Sequence, residues 1–274
     1  MRRGPSVAAR SPYGDVMTDL DARLVKLYDL DNSDGPDHDY FRSLADRLRA
    51  RTVVDLGCGT GRLTVTLARG GRRVVGVDPD RAMLDFARRR EGGEDVAWVH
   101  GDSRSIGAAN ADLVLMSGNV AQAINGEAWM RTLSDVRSAL RAGGTLAFEV
   151  RNPAARAWTR WTRQETYGRR QTDSGPLTEW MEVTGLRPDG TVTFDAHNVF
   201  EGSNEHLVYT DTLAFRTRPQ IEADLEEAGL QVLHVWGGWL HESVRPTSAL
   251  LVFEAIHPSL SESSSSSSPS TRHH

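Results

Sequence analysis

Val53-Val54-Asp55-Leu56-Gly57-Cys58-Gly59-Thr60-Gly61, followed closely by Val74-Val75-Gly76-Val77-Asp78-Pro79, decides how this chain is read. Both runs are short, apolar and β-branched, and the first breaks into glycines just ahead of a helical pattern over residues 63–68. Glycines between a strand and a helix let the backbone turn tightly, approach a ligand and aim the helix N-terminus at it. Asp78 closes the second strand at the separation where such folds hold two ribose hydroxyls.

A dinucleotide-binding protein would share these features, and two details argue against it. The nicotinamide fingerprint places its third glycine three positions after the second, whereas that position is Arg62 here and the glycines read G-x-G-x-G. Asp55 decides more. A carboxylate aimed at the turn repels a pyrophosphate but suits a ligand carrying an ammonium and a sulfonium, which points to S-adenosylmethionine.

Outward from this turn the chain alternates strand and helix. Strands are expected at 52–56, 73–77, 96–100, 111–116 and 145–150, with helices at 63–68, 81–90 and 127–140. Short connections of this kind imply a parallel sheet covered on both faces. Before it, apolar spacing predicts helices over 15–30 and 40–48. After Pro153 the texture changes to strands at 180–184, 191–200 and 206–215 separated by turn signals, an antiparallel pattern. A helix over 219–228 and strands at 230–235 and 249–256 return to the first sheet.

The glycine and acidic motifs resemble the first two motifs of the class I S-adenosylmethionine-dependent methyltransferases. In that family the residue matching Asp55 contacts the methionine amino group. Those matching Gly57, Gly59 and Gly61 pack on the cofactor, and the one matching Asp78 holds the ribose. Cys58 and Pro79 lie inside these motifs and are counted with them. Gly101-Asp102-Ser103 resembles the third motif, whose acidic residue meets the adenine. Ser117 after the fourth strand, and Tyr28 in a leading helix that often folds over the cofactor in this family, complete the expected cofactor contacts. The resemblance spans residues 40–152 and implies a Rossmann-like, seven-stranded, mostly parallel α/β sheet with helices on both faces and a final antiparallel hairpin. A small antiparallel β insertion follows the fifth strand, as in methyltransferases of amino sugars and other secondary metabolites. The expected domains are a disordered 1–13, a cofactor-binding unit of 14–153 with 218–257, an inserted β cap at 154–217 and a disordered Ser-rich tail at 258–274.

Methyl transfer from a sulfonium is an in-line displacement, so positioning and exclusion of water dominate. An amine acceptor needs a free lone pair, and an alcohol or phenol needs a base. Ligands in such sheets sit beyond the carboxyl ends of the strands, which selects Asn119 and Gln122 after the fourth strand and Glu149, Arg151 and Asn152 at the fifth. His197 and His241 are candidate bases. Glu149, His197 and Asn119 form the expected catalytic set, with no metal. Five of the seven tryptophans follow Pro153, and Trp158 and Trp161 are expected nearest the acceptor.

Composition bounds the remaining readings. At 274 residues the chain is one large or two small domains. Its one cysteine, Cys58, excludes an intramolecular disulfide and a thiolate zinc cage. A net charge of -5 argues against a broad nucleic-acid face. No apolar run spans a bilayer and the basic start lacks the pattern of a signal peptide, so a cytoplasmic protein acting on a small-molecule acceptor is expected, with room for a homodimer. Ser117-Gly118-Asn119-Val120 differs from the Asn/Asp-Pro-Pro-aromatic motif of base-amino methyltransferases. An RNA or protein methyltransferase, or a non-catalytic S-adenosylmethionine-binding protein, is the alternative.

Overall fold

The computed structural model describes the backbone of Val7–Arg10 and residues 20–259. Seven strands form the main sheet: β2 (Thr52–Leu56), β3 (Arg73–Asp78), β4 (Val96–His100), β5 (Ala111–Met116), β6 (Leu140–Arg151), β11 (Gln231–Trp236) and β12 (Leu250–Ile256). Their spatial order is β11-β12-β6-β5-β2-β3-β4. Only β12 runs against its neighbours, pairing antiparallel with both β6 and β11. The order reverses at β2, which pairs parallel with β3 on one side and β5 on the other, so a crevice opens beyond the carboxyl ends of β2 and β5.

Alternation along the strands supplies the two covered faces. Val53, Leu113, Leu115, Ala147 and Val252 meet Tyr40, Phe41 and Leu44 of α2 (Pro36–Arg47) and Leu63 and Leu67 of α3 (Arg62–Leu67). On the other face Val54, Val114, Leu146 and Phe148 meet Trp129 and Leu133 of α6 (Glu127–Ala139) and Ile221 and Leu225 of α8 (Arg218–Glu227). Phe148 stacks on Phe253 at 5.2 Å, which joins the reversed strand to the parallel set. The remaining helices of this unit are α1 (Ala22–Asp31), α4 (Arg81–Ala87) and α5 (Val120–Ala123).

A second sheet has the order β1-β10-β9-β8-β7, from β1 (Val7–Arg10), β7 (Gly168–Thr172), β8 (Gly175–Leu186), β9 (Thr191–Phe200) and β10 (Glu205–Ala214). β7 to β10 form an antiparallel meander and β1 joins parallel to β10. A short helix α7 (Arg163–Thr166) precedes β7. One face of this sheet packs Leu177, Phe200, Leu207 and Tyr209 onto Leu24 and Leu27 of α1. Farther along, Val192, Leu213 and Phe215 pack on Ala123 of α5, with Trp158 and Trp161 alongside.

Several boundaries differ from the sequence reading. Val7–Arg10 is a strand within the segment expected to be disordered, while residues 1–6 and the tail from 260 onward lie outside the described residues. α1 begins at Ala22 because Asp21 caps it, accepting from the Arg23 backbone N–H at 2.9 Å; residues 11–19 also lie outside. β7, with the sequence Gly-Arg-Arg-Gln-Thr, and the single turn of α5 carry too few apolar residues to show a period.

Candidate active site

The glycine turn is shaped by its neighbours. The backbone N–H groups of Gly57 and Cys58 both donate to the Val77 carbonyl, at 2.7 and 3.1 Å, folding the end of β2 against β3. Gly57 has φ +78°, and a Cβ there would stand 2.4 Å from Cγ2 of Val120. At Gly61, φ +72°, a Cβ would stand 2.4 Å from the Trp98 ring. Both positions therefore require glycine for packing as well as for the left-handed backbone. Gly59 opens instead toward the Tyr28 ring.

Three carboxylates converge on this turn. Asp78 accepts from Gly59 N–H and Asp80 N–H, each at 2.8 Å, which fixes its side chain at the end of β3. Asp55 is 1% exposed; Oδ2 accepts from the Thr64 hydroxyl at 2.6 Å, while Oδ1 is buried with no partner among the described residues. Glu149 is 2% exposed; Oε1 accepts from the Asn119 N–H at 2.6 Å, and Oε2 is buried with no hydrogen-bond partner among the described residues. Burial pushes Asp55 up to about 7, with Asp78 adding to the effect. Burial likewise raises Glu149 to about 7, and Asp37 contributes.

Asp55 and Glu149 share the strand parity of Val53 and Ala147, so they face the same side of the sheet. Unpartnered buried carboxylate oxygens are costly, and a cationic ligand group would satisfy them. A pyrophosphate would not. The residues present therefore fit the ammonium-bearing S-adenosylmethionine and do not fit a dinucleotide.

α1 crosses over this crevice. Thr60 donates its hydroxyl to Asp29 Oδ1 at 2.6 Å, Arg62 donates to the Asp29 carbonyl at 2.6 Å, and Arg90 pairs with the Asp29 carboxylate. Leu20 N–H donates to Asp80 at 2.8 Å. These contacts hold Tyr28 between Gly59 and Gly118. Desolvation, with Asp78 and Glu149 nearby, pushes its phenol up to about 12, so it stays protonated. Asp29 was missed by sequence reasoning, since its partners lie 31 to 61 positions away.

Other expected residues take different places. Asn119, φ +63°, acts through its backbone N–H on Glu149, and Ser117 lies beside it at the head of the β5 loop. Cys58 is buried and its thiol is raised by that burial. The Pro79 carbonyl meets His100 Nε2 at 2.9 Å. Asp102 is drawn to Arg104, whose guanidinium holds it below the usual carboxylate range. The Ser103 hydroxyl donates to Asp135 at 2.7 Å and accepts from Thr132, so it binds α6 and leaves only its backbone for a ligand.

His197 lies away from the crevice. Ala196 and Phe200 point toward α1, so alternation puts His197 on the opposite face of β9. There it stacks on Trp180 at 4.6 Å, shares a hydrogen bond with His206 at 3.0 Å and lies 3.5 Å from Glu182. His241 stands among Tyr40 and Trp236, at ring distances of 5.4 and 5.0 Å. Gln122 and Arg151 are joined to each other: Gln122 Oε1 accepts from the Arg151 N–H at 3.1 Å and from Nη1 at 3.3 Å. Among the described residues no group of three or more His, Cys, Asp and Glu could hold a metal ion, and no helix is long and apolar enough to cross a membrane.

The fold and site thus define an α/β protein with a carboxylate-lined crevice at the sheet's switch point. A family model described as a methyltransferase domain matches residues 53–144. The trans-aconitate 2-methyltransferase of an Azoarcus species is 32% identical over 183 residues, covering 51% of this chain and 70% of that one. The cypemycin N-terminal methyltransferase of a Streptomyces species is 29% identical over 213 residues, covering 76% and 84%. Among solved structures, a sugar N-methyltransferase from Streptoalloteichus superposes with a TM-score of 0.67 at 16% identity, over 94% of this chain and 100% of that one, which speaks to fold. The chain belongs to the class I S-adenosylmethionine-dependent methyltransferases.

Proposed function

We propose that the protein methylates an amine nitrogen of a small molecule, held between the crevice and the second sheet. The observation that carries this reading is Glu149 Oε2, buried and without a hydrogen-bond partner among the described residues. A carboxylate there can hold an acceptor ammonium and take its proton, because its pKa near 7 matches working pH. The names of two similar proteins, an N-terminal methyltransferase and a sugar N-methyltransferase, support nitrogen as the acceptor.

S-adenosylmethionine, when bound, supplies the electrophilic methyl group. Asp55 Oδ1 would hold its ammonium, Asp78 its ribose hydroxyls, and Tyr28 would close over the turn. Asn119 N–H positions Glu149. Residues 154–217 serve as the acceptor cap in this reading, with Trp158 and Trp161 at its base, excluding water from the reacting atoms. A cytoplasmic protein, free of nucleic acid and able to dimerise, is in keeping with it. The test is incubation with S-adenosylmethionine and matched sets of small amines, alcohols and phenols, followed by mass spectrometry. Methylated amines are expected; methylation confined to oxygen overturns the reading.

A further inference from the structure

Arg151 ends β6 two residues beyond Glu149 and shares its strand parity. Its guanidinium is set 5.6 Å over the Trp161 ring and donates to Gln122 Oε1 at 3.3 Å, a long bond. It forms no ion pair among the described residues, although Glu149 and Asp211 are near enough to favour its charge. Burial opposes that charge. Arg216, half-buried like Arg151, is engaged: it donates to the carbonyls of Ala121 and Ile124 at 3.1 and 2.7 Å.

Gln122 adds an independent observation. It is fully buried, and its Nε2 has no partner among the described residues. The orientation of the amide is fixed by Arg151, whose two N–H donors require the oxygen on their side. One carbon therefore carries an acceptor bound to Arg151 and a free donor beside it. Among the described residues, a guanidinium in no ion pair and a buried amide donor with no acceptor meet at the end of β6, the guanidinium set beside Trp161. The remaining N–H groups of Arg151, which are charged, and the Gln122 amide donor match the two oxygens of a carboxylate.

We infer that Arg151, with Gln122 Nε2, binds a carboxylate of the methyl acceptor and selects amines that carry one. This rests on the small-molecule reading above and goes beyond it by naming the acceptor's second group. Glu149 and Arg151 then recognise opposite charges of one amino-acid-like acceptor, from neighbouring positions on one face of one strand. Arg151 is a specificity determinant here, and the proton is handled at Glu149.

The experiment uses the full chain and matched probes: amino acids of increasing length and anthranilate, each against its carboxamide. Methylation is followed by mass spectrometry, binding by thermal shift of the S-adenosylhomocysteine complex, and cofactor affinity by calorimetry. For the wild type, acids are expected to show KM values about 10- to 100-fold below those of their amides, the worth of a charged hydrogen bond. Arg151→Gln should erase that preference through KM and leave S-adenosylmethionine affinity within about twofold. Arg151→Lys should keep part of it. Equal treatment of acid and amide by the wild type overturns the inference, as does an equal loss for both in Arg151→Gln. Failure of every acid to stabilise the wild-type complex more than its amide does the same. Arg151-dependent acid binding with methyl transfer only to the carboxylate oxygen would uphold the carboxylate contact at Arg151 and overturn both the selection of amines and the amine reading.

Discussion

Asp55 and Glu149 face the same side of the seven-stranded sheet, and each keeps one carboxylate oxygen in a 2.6 Å hydrogen bond while the other is buried with no partner among the described residues. In the proposed reading the first serves the cofactor and the second the acceptor. Both are raised to about 7 by burial. The ligand-free protein therefore stores a penalty that bound cations relieve.

The sign of that penalty sets a pH dependence. A carboxyl raised in the folded state binds more protons folded than unfolded between its ordinary pKa and about 7. Stability of the ligand-free protein should fall as pH rises across that window and level off above it. Thermal unfolding of Asp55→Asn and Glu149→Gln at pH 8 should then show a higher Tm than the wild type, by about 2 to 4 °C for each kcal/mol relieved. Equal Tm differences at pH 5 and pH 8 would remove burial of the charge as the cause.

S-adenosylmethionine affinity should rise with pH through about 7, because the ammonium needs ionised Asp55, and Asp55→Asn should flatten the profile. Asp78→Asn should weaken binding by about 1.5 to 3 kcal/mol through loss of a charged acceptor. Calorimetry measures both, and unchanged affinity in folded Asp78→Asn would show that the ribose is held elsewhere.

Much of this site was legible in one sequence because the residues lie in short motifs whose spacing the parallel sheet fixes. Asp78 ends β3 and Asp55 stands one residue before the end of the adjacent parallel strand β2, so helix α3 is all that separates their strands in the chain. Asp29 was not legible: α1 reaches the turn only through tertiary contacts with Thr60, Arg62 and Arg90. β7 was hidden by its arginines. For His197 a signal did exist, since Val192, Phe194, Ala196 and Phe200 are the apolar parity of β9 and His197 belongs to the other one.

Gly57→Ala should cost about 1 to 3 kcal/mol from overpacking against Val120 and from the left-handed backbone. Val120→Ala in the same chain should recover the packing part alone. A double variant no more stable than Gly57→Ala in denaturant unfolding would assign the whole cost to φ.

Releasing α1 should speed cofactor loss. Asp29→Asn weakens the pairing with Arg90 and Arg62 that seats Tyr28 beside Gly59. The dissociation rate of S-adenosylmethionine should rise about tenfold with little change in association, a loss of about 1.4 kcal/mol. Stopped-flow displacement reads the two rates separately, and an unchanged dissociation rate would show that α1 closes no lid.

The two faces of the second sheet give the sharpest contrast. Trp161 stands on the side of Arg151, at ring distances of 5.0 and 5.9 Å from Phe194 and Phe215. His197 is on the far side, stacked on Trp180 and bonded to His206. Trp161→Ala removes a wall of the proposed acceptor space and should raise the acceptor KM at least tenfold while S-adenosylmethionine affinity stays within a few-fold. His197→Ala should leave both kcat and KM within about twofold, because β9 itself separates the imidazole from the crevice. Its effect should appear in stability alone, at about 1 kcal/mol for a lost stacked ring contact. A large fall in kcat for folded His197→Ala, with a pH profile shifted from that of the wild type, would restore the histidine to the reaction and require the sheet to turn its other face to the acceptor.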